Sequence, residues 1–172
     1  MKNTYDFNEH KHRFAIWTAS RAVQRSFTKT INIWNAIDKT SLRKFSESSE
    51  KYTQDQFDIQ LQLWCTQIIG SFKKSGIACS FGQAAKIVAI YLKSSIVLPN
   101  KGKGNNALLI HPPIDKILLK SISQYPEFRY LSNKSWTKFS DNDYWLLVGL
   151  SRNKFKKFNW TLEEHWKPTL KN

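Results

Sequence analysis

Apolar residues recur along most of the chain at intervals of three and four, a spacing that places them on one face of an α-helix. The first such segment covers about 9–25. Its apolar face consists of Ala15, Ile16, Ala19, Ala22 and Val23. A second helix is predicted after Thr28, whereas the polar, serine-rich stretch 43–52 is typical of a loop. Because no segment alternates apolar and polar residues as a strand would, the pattern indicates an all-α fold.

Two Ser/Thr-x-x-Gln sequences predict where the next helices begin. Thr53 with Gln56, and Ser80 with Gln83, match the capping box, in which each side chain bonds to the other residue's backbone amide. The helix that starts after Ser80 is apolar nearly all round, which is typical of the central helix of a bundle. It is expected to stop at Pro99, where a flexible basic loop, PNKGKGNN, begins.

The second half of the chain contains further helix signals. A Pro-Pro pair suits the first turn of a helix, and Asp115 is expected within that turn. Ser140 or Asp141 starts another helix, and the tail adds one or two helical turns. Together these segments predict a single domain over residues 1–172, an orthogonal all-α bundle of about six or seven helices.

The charge of the chain gives information about its binding partners rather than about its fold. Basic residues number 27 against 13 acidic ones, giving a net charge of +14. No acidic residue lies between Asp58 and Asp115, and a second basic run near the C-terminus is interleaved with Phe155 and Phe158. Lysines on loops and helix ends can neutralise phosphates, and aromatic rings can stack on unpaired bases. Alternatively, Phe155 and Phe158 anchor the tail to the core.

The predicted partner is therefore nucleic acid, with DNA favoured, and the alternative is an acidic protein. The predicted nucleic-acid-binding residues are Lys73, Lys74, Lys93, Lys101, Lys103, Arg152, Lys154, Lys156 and Lys157. No membrane partner is expected, because no apolar run approaches the roughly 20 residues of a membrane span. The N-terminus lacks an apolar signal core, so a cytoplasmic location is expected.

Metal and thiol chemistry receive little support. Cys65 and Cys79 are too few for a disulfide scaffold or a four-cysteine zinc site, and their apolar or small neighbours indicate inert thiols. His10 and His12 are two residues apart and do not share a helix face, so no metal site is predicted. The EHKHR segment could instead form a ribonuclease-like site with a distant partner. No cofactor is predicted, since no phosphate-binding glycine loop is present.

Lys86 and Asp115 form the best candidate pair for catalysis. Lys86 lies in the most apolar predicted helix, where desolvation would lower its pKa and make its amine a potential nucleophile. Asp115, at a helix start, could serve as the base or as the electrostatic partner. The alternative is that Lys86 extends its ammonium group to the surface and that Asp115 is an ordinary first-turn acid.

A resemblance gives this pair a more specific role. The segments GQAAKIVAIYL, HPPIDKILL and SWTKFSDNDYWLLV resemble, in this order, the C-terminal half of the helix-hairpin-helix DNA glycosylases. The resemblance covers the second half of the chain, which lacks that superfamily's Leu-Pro-Gly-x-Gly hairpin. It implies that Gly82 forms a turn, that Lys86 is the catalytic lysine, and that Asp115, after Ile114, activates the nucleophile. It also implies that a damaged base is extruded into a pocket.

Three function hypotheses follow. The first is a DNA-binding helical protein with glycosylase- or lyase-like activity at Lys86 and Asp115. The second is a non-catalytic interaction or scaffold protein of a bacterial defence or mobile-element system, for which an exposed apolar patch is expected. The third is an RNA-binding module. The N-terminal segment EHKHRFAIWTASRA resembles a family of small bacterial proteins, and that resemblance implies no activity.

Overall fold

The computed structural model describes residues 5–23 and 27–167. Within these residues the chain is all-α, with no strand, which confirms the predicted fold class. The α-helices are α1 (Phe7–Ala22), α2 (Thr30–Asp38), α3 (Leu42–Glu47), α4 (Gln54–Lys74), α5 (Phe81–Leu92), α6 (Lys116–Ile122), α7 (Arg129–Ser132) and α8 (Asp141–Phe155). No helix of the described part is long and apolar enough to cross a membrane. Arg25, the expected end of α1, lies outside the described residues.

The local start signals account for several helix boundaries. Both predicted capping boxes are present, at Thr53 before α4 and at Ser80 before α5. Ser140 caps α8 in the same way, with Asp143 as its partner. The start of α6 was placed too early, because Asp115 is not in the first turn but is the N-cap, accepting a hydrogen bond from the Leu118 amide. The two prolines therefore precede α6 rather than opening it.

The prediction of a loop over 43–52 is wrong for its first half, where α3 forms. Leu42 and Phe45 are three residues apart and both are buried, so one face of α3 contributes to the core. The ring of Phe45 packs at 5.1 Å from that of Trp64 on α4. Two buried side chains thus stabilise a short helix in a stretch that otherwise reads as polar.

The central position predicted for the helix after Ser80 is confirmed. Nearly every residue of α5 is buried, and α5 packs against α1, α4 and α8. Its α-helical geometry ends at Leu92 and does not continue to Pro99. Instead, residues Lys93–Val97 continue it as a π-helix, a rare geometry that occurs frequently at functional sites. One continuous core extends around α5, from Ala15 on α1 to Leu162 near the C-terminus.

Gly82 lies in the first turn of α5 rather than forming a turn of its own. Its amide donates a hydrogen bond to the Phe139 carbonyl oxygen at 3.1 Å, which brings α5 against the 3₁₀ helix Trp136–Lys138. A Cβ atom at this position would lie 2.1 Å from the Trp136 carbonyl oxygen. Glycine therefore permits a backbone approach that no other residue allows.

Substituting this glycine should destabilise the fold. We expect Gly82→Ala to lower the free energy of unfolding by about 1–3 kcal/mol, the usual cost of overpacking. Gly149→Ala on α8 is the matched control, because no atom lies within 4 Å of its added Cβ. That change should raise the free energy of unfolding by roughly 0.5–1 kcal/mol through helix propensity. Urea denaturation measures both, and a Gly82→Ala variant as stable as the parent would contradict the close approach.

Candidate functional site

Five of the nine predicted nucleic-acid-binding residues carry unpaired charges at the surface. They are all exposed and form no ion pair with any residue of the described part of the chain. Lys73 and Lys74 end α4, Lys101 and Lys103 lie on the loop after the π-helix, and Lys156 is the C-cap of α8. Cations in such positions keep their full charge available to an external anion.

The other four residues of that set are engaged within the protein. Lys93 pairs with Glu163 at 2.6 Å, Lys157 with Glu164 at 2.9 Å, and Lys154 with Glu127 at 3.4 Å. Arg152 donates two hydrogen bonds to the Asp58 carboxylate, at 2.6 and 2.9 Å. Acidic residues of the protein itself therefore largely compensate the charges of these four residues.

Lys86 is buried, with 8% of its surface exposed. Its Nζ lies 4.1 Å from the centre of the Trp136 ring, a cation–π contact. Burial lowers the pKa of the Lys86 ammonium, and the negative charge of Asp115 acts in the opposite direction. A buried amine with a lowered pKa has more of the unprotonated form that nucleophilic attack requires.

Asp115 acts on Lys86 through its charge and not through direct contact. Its Oδ1 accepts a hydrogen bond from the Leu118 amide at 2.9 Å, and its Oδ2 accepts one from the Trp166 indole at 2.9 Å. No ion pair joins it to Lys86. These two hydrogen bonds orient the carboxylate, and each of its oxygens keeps a second lone pair as an acceptor.

Trp136, the residue that Lys86 contacts, lines a pocket of about 330 Å³, here called the Trp136 pocket. It is lined by Lys116, Leu119, Ser132, Asn133, Lys134, Ser135 and Trp136. Lys86 touches the pocket wall at Trp136, and Asp115 directly precedes Lys116. No acidic residue lines the pocket, although Lys134 pairs with Asp143 at 2.5 Å behind it. This lining of ammonium, hydroxyl and amide groups suits a polar or anionic ligand.

A buried network that the sequence analysis did not anticipate is formed around Asp58 and His111. The fully buried His111 has Nε2 at 3.2 Å from the Asp58 carboxylate and Nδ1 at 2.9 Å from the Tyr144 hydroxyl. Burial lowers the pKa of His111, against the opposing influence of Asp58. The neutral ring thus donates from Nε2 to Asp58 and accepts the Tyr144 hydroxyl at Nδ1.

The Asp58 carboxylate is the charge that this network stabilises. Burial alone would raise its pKa, but hydrogen bonds from His111 and Arg152 outweigh burial and hold the pKa well below its usual range. Phe158 contributes by packing its ring 4.8 Å from that of His111. Phe158 is buried, which places it in the core rather than at a base-stacking surface.

A second histidine, His12, also contacts one tyrosine hydroxyl and one aspartate carboxylate. The buried His12 places Nδ1 at 2.7 Å from the Tyr91 hydroxyl and Nε2 at 3.2 Å from the Asp38 carboxylate, which also accepts from the Trp34 indole. These partners for the EHKHR segment come from α2 and α5, far away in the sequence. Local spacing carries no signal for such contacts, which is why the sequence did not reveal them.

Thiol and metal chemistry gain no support from the geometry. Cys65 is buried and Cys79 is partly buried. Burial raises the pKa of the Cys79 thiol to about 12, so the group stays protonated and unreactive at neutral pH. Within residues 5–23 and 27–167, no three His, Cys, Asp or Glu side chains are grouped as metal ligands.

The outer face of α1 carries an exposed aromatic stripe. Phe7, Phe14 and Trp17 follow one another at helical spacing, on the side of α1 opposite its buried residues. The Phe14 and Trp17 rings lie 5.9 Å apart, and the Arg21 guanidinium lies 5.6 Å from the Trp17 ring. Exposed aromatic side chains on one helix face are typical of a surface that meets a partner.

The Asp58–His111 network should make stability depend on pH. The folded His111 resists protonation, while the unfolded imidazole takes up a proton as the pH falls through about 6.5. The free energy of unfolding should therefore decrease below about pH 6.5, by at most about 1.4 kcal/mol per pH unit for this one group. The contribution of Asp58 should be lost only below its unfolded pKa of about 3.8.

Urea denaturation between pH 5 and pH 8 measures this dependence. His111→Asn should reduce the slope below pH 6.5, because the group that titrates only in the unfolded chain is gone. His10→Asn is the matched control, since His10 is exposed and lies outside the network. An identical slope in His111→Asn and in the parent protein would show that His111 does not carry the dependence.

No protein-family model, curated protein or solved structure matches the chain. The resemblance of its second half to the helix-hairpin-helix DNA glycosylases therefore stays a prediction.

Proposed function

We propose that the protein binds nucleic acid, with DNA as the leading candidate, through its unpaired surface lysines. The observation that carries this proposal is that Lys73, Lys74, Lys101, Lys103 and Lys156 remain exposed and without acidic partners in the described part of the chain. Each such cation can displace a counterion from the phosphate backbone. A net charge of +14 draws the polyanion towards that surface.

A finer proposal concerns the Trp136 pocket as a site for base excision. The pocket combines the apolar side chains of Leu119 and Trp136 with polar groups that include Lys116 and Lys134. Its Trp136 contacts Lys86, whose pKa is lowered by burial. In this proposal an extruded nucleotide enters the pocket, and the unprotonated Lys86 attacks C1′ of its sugar and displaces the base. Opening of the sugar ring then leaves a Schiff base on Lys86. Trp136 has to shift for the amine to reach the sugar, because its ring covers the ammonium group.

The aromatic stripe of α1 favours a second function, that of an interaction protein. Phe7, Phe14 and Trp17 form an exposed apolar surface of the kind expected for a scaffold. In this alternative the basic surface binds an acidic protein, and Lys86 and Asp115 have no catalytic part. Direct measurement of nucleic-acid binding separates the two functions.

Fluorescence anisotropy of labelled duplex DNA, single-stranded DNA and duplex RNA, over a salt series, tests the nucleic-acid proposal. We expect binding that weakens steeply as salt rises. The double variant Lys73→Gln/Lys74→Gln should reduce the slope of log K against log salt by about 2, because each phosphate contact contributes roughly 1.

The matched control is Lys154→Gln/Lys157→Gln, which removes the same charge from residues already paired with Glu127 and Glu164. It should change the slope less. Equal effects of the two double variants would contradict the role given to unpaired lysines. The absence of binding to all three polymers at low salt would overturn the proposal and favour the acidic-protein alternative.

Borohydride trapping on lesion-bearing duplex DNA tests the proposed role of Lys86. Reduction of the Schiff base should leave a stable covalent adduct between protein and DNA. Lys86→Gln should abolish the adduct, whereas Lys116→Gln, in the same pocket, should only weaken it through lost binding. An adduct that forms equally well with Lys86→Gln would assign the chemistry to another amine.

A further inference from the structure

A cleft beside the 3₁₀ helix Trp160–His165 has features of a ligand site, of which the proposed function uses only Lys101. This cleft, here called the Trp160 cleft, has a volume of about 670 Å³. It is lined by Lys93, Val97, Leu98, Lys101, Gly102, Trp160, Thr161, Glu163 and Glu164. Its volume falls within the roughly 300–1,000 Å³ of small-molecule sites.

The backbone on one side of the cleft adopts uncommon conformations. The π-helix Lys93–Val97 forms that wall, and the loop that follows it has positive φ angles at Lys101 (54°) and Gly102 (72°). Gly102 lies so close to Trp160 that a Cβ atom there would be 2.5 Å from the indole ring. Irregular backbone that packing holds in place is characteristic of binding sites.

The acidic residues of the cleft are already neutralised. Glu163 pairs with Lys93, and Glu164 pairs with Lys157. Among the described residues, neither Lys101 at the rim nor Lys103 in the same loop has an acidic partner. The cleft therefore combines a largely apolar interior, whose acidic groups are paired, with Lys101 at its edge and Lys103 two residues further along the loop.

Among the residues that line the cleft, Trp160 has a polar atom without a hydrogen-bond partner in the described part of the chain. The Nε1 of Trp160 is buried and makes no hydrogen bond with any described residue. Buried indole N–H groups normally find an acceptor, and one that lacks a partner calls for an explanation. A ligand with a carbonyl or ring-nitrogen acceptor would supply the missing partner if Trp160 turns towards it.

We infer that the Trp160 cleft binds an unpaired nucleobase of a single-stranded segment, while Lys101 and Lys103 contact the adjoining phosphates. This inference rests on the proposed function and makes it more specific. A nucleobase is flat, uncharged and rich in acceptors, which matches the neutral apolar interior, and its phosphates match the cations at the edge. A duplex keeps its bases stacked and paired, and offers a base to this cleft only where that base is extruded.

Two oligothymidylates of equal length, one normal and one abasic, test the inference. Both carry the same phosphates, so the difference in their affinities reports on the base alone. The normal strand should bind the parent protein at least about five-fold more tightly, which corresponds to the lower end of the effect of a base–aromatic contact. A 2-aminopurine placed in the normal strand should also lose fluorescence on binding.

Leu98→Ser is the variant of choice, because Leu98 lines the cleft and is 59% exposed, so its loss leaves the core intact. It should abolish the preference for the normal strand. Leu108→Ser is the matched control, since Leu108 is 57% exposed but lies outside the cleft, and it should keep the preference. Trp160→Leu provides a second variant with the same expected loss.

The outcomes separate the two proposals. Equal binding of the normal and abasic strands by the parent protein would overturn the nucleobase site and leave phosphate binding standing. Failure of both strands to bind at low salt, while duplex DNA still binds, would overturn the single-strand site and leave the proposed function standing. Failure of duplex DNA and duplex RNA to bind as well would overturn the proposed function together with this inference. Binding of free thymidine monophosphate without binding of either strand would assign the cleft to a free nucleotide and overturn the single-strand site.

Discussion

The partly buried contact between Asp58 and Arg152, extended by the fully buried His111, is the interaction on which the arrangement of the helices depends. It joins α4 to α8 across 94 positions of the sequence and includes the segment before α6. Removing one partner from a buried charge pair leaves the other uncompensated, which costs far more than the pair itself contributes. The network therefore specifies how the two halves of the chain meet around α5, and aromatic rings such as Phe158 exclude water from it.

Because some of the cations are paired inside the fold, the net charge of +14 does not by itself show which residues can bind a partner. Arg152 and Lys93 are cations in the sequence, but their carboxylate partners compensate them. The charge that can act on a partner is therefore concentrated on helix ends and one loop, at residues such as Lys73 and Lys101. Composition predicts the sign of the surface, whereas only tertiary structure shows which cations are free.

Whether a contact joins residues near or far apart in the sequence explains which features of the structure the sequence could predict. The capping boxes at Thr53 and Ser80 involve residues three positions apart, and the burial of α5 follows from its own composition, so both were predictable. The short helix α3 depends on packing against Trp64, and His111 depends on partners from two other helices. Such contacts leave no periodic pattern. Lys86 was correctly placed in an apolar helix, but its contact with Trp136 is equally non-local.

The two recesses share a structural support although their chemistry differs. The 3₁₀ helix Trp160–His165 forms one wall of the Trp160 cleft and packs against α6, which lines the Trp136 pocket. The residue that follows it, Trp166, donates the hydrogen bond that occupies Asp115. Any displacement of this segment by a ligand in the cleft would therefore act on the carboxylate whose charge influences Lys86. Such coupling needs no long pathway, because one short segment contacts both sites.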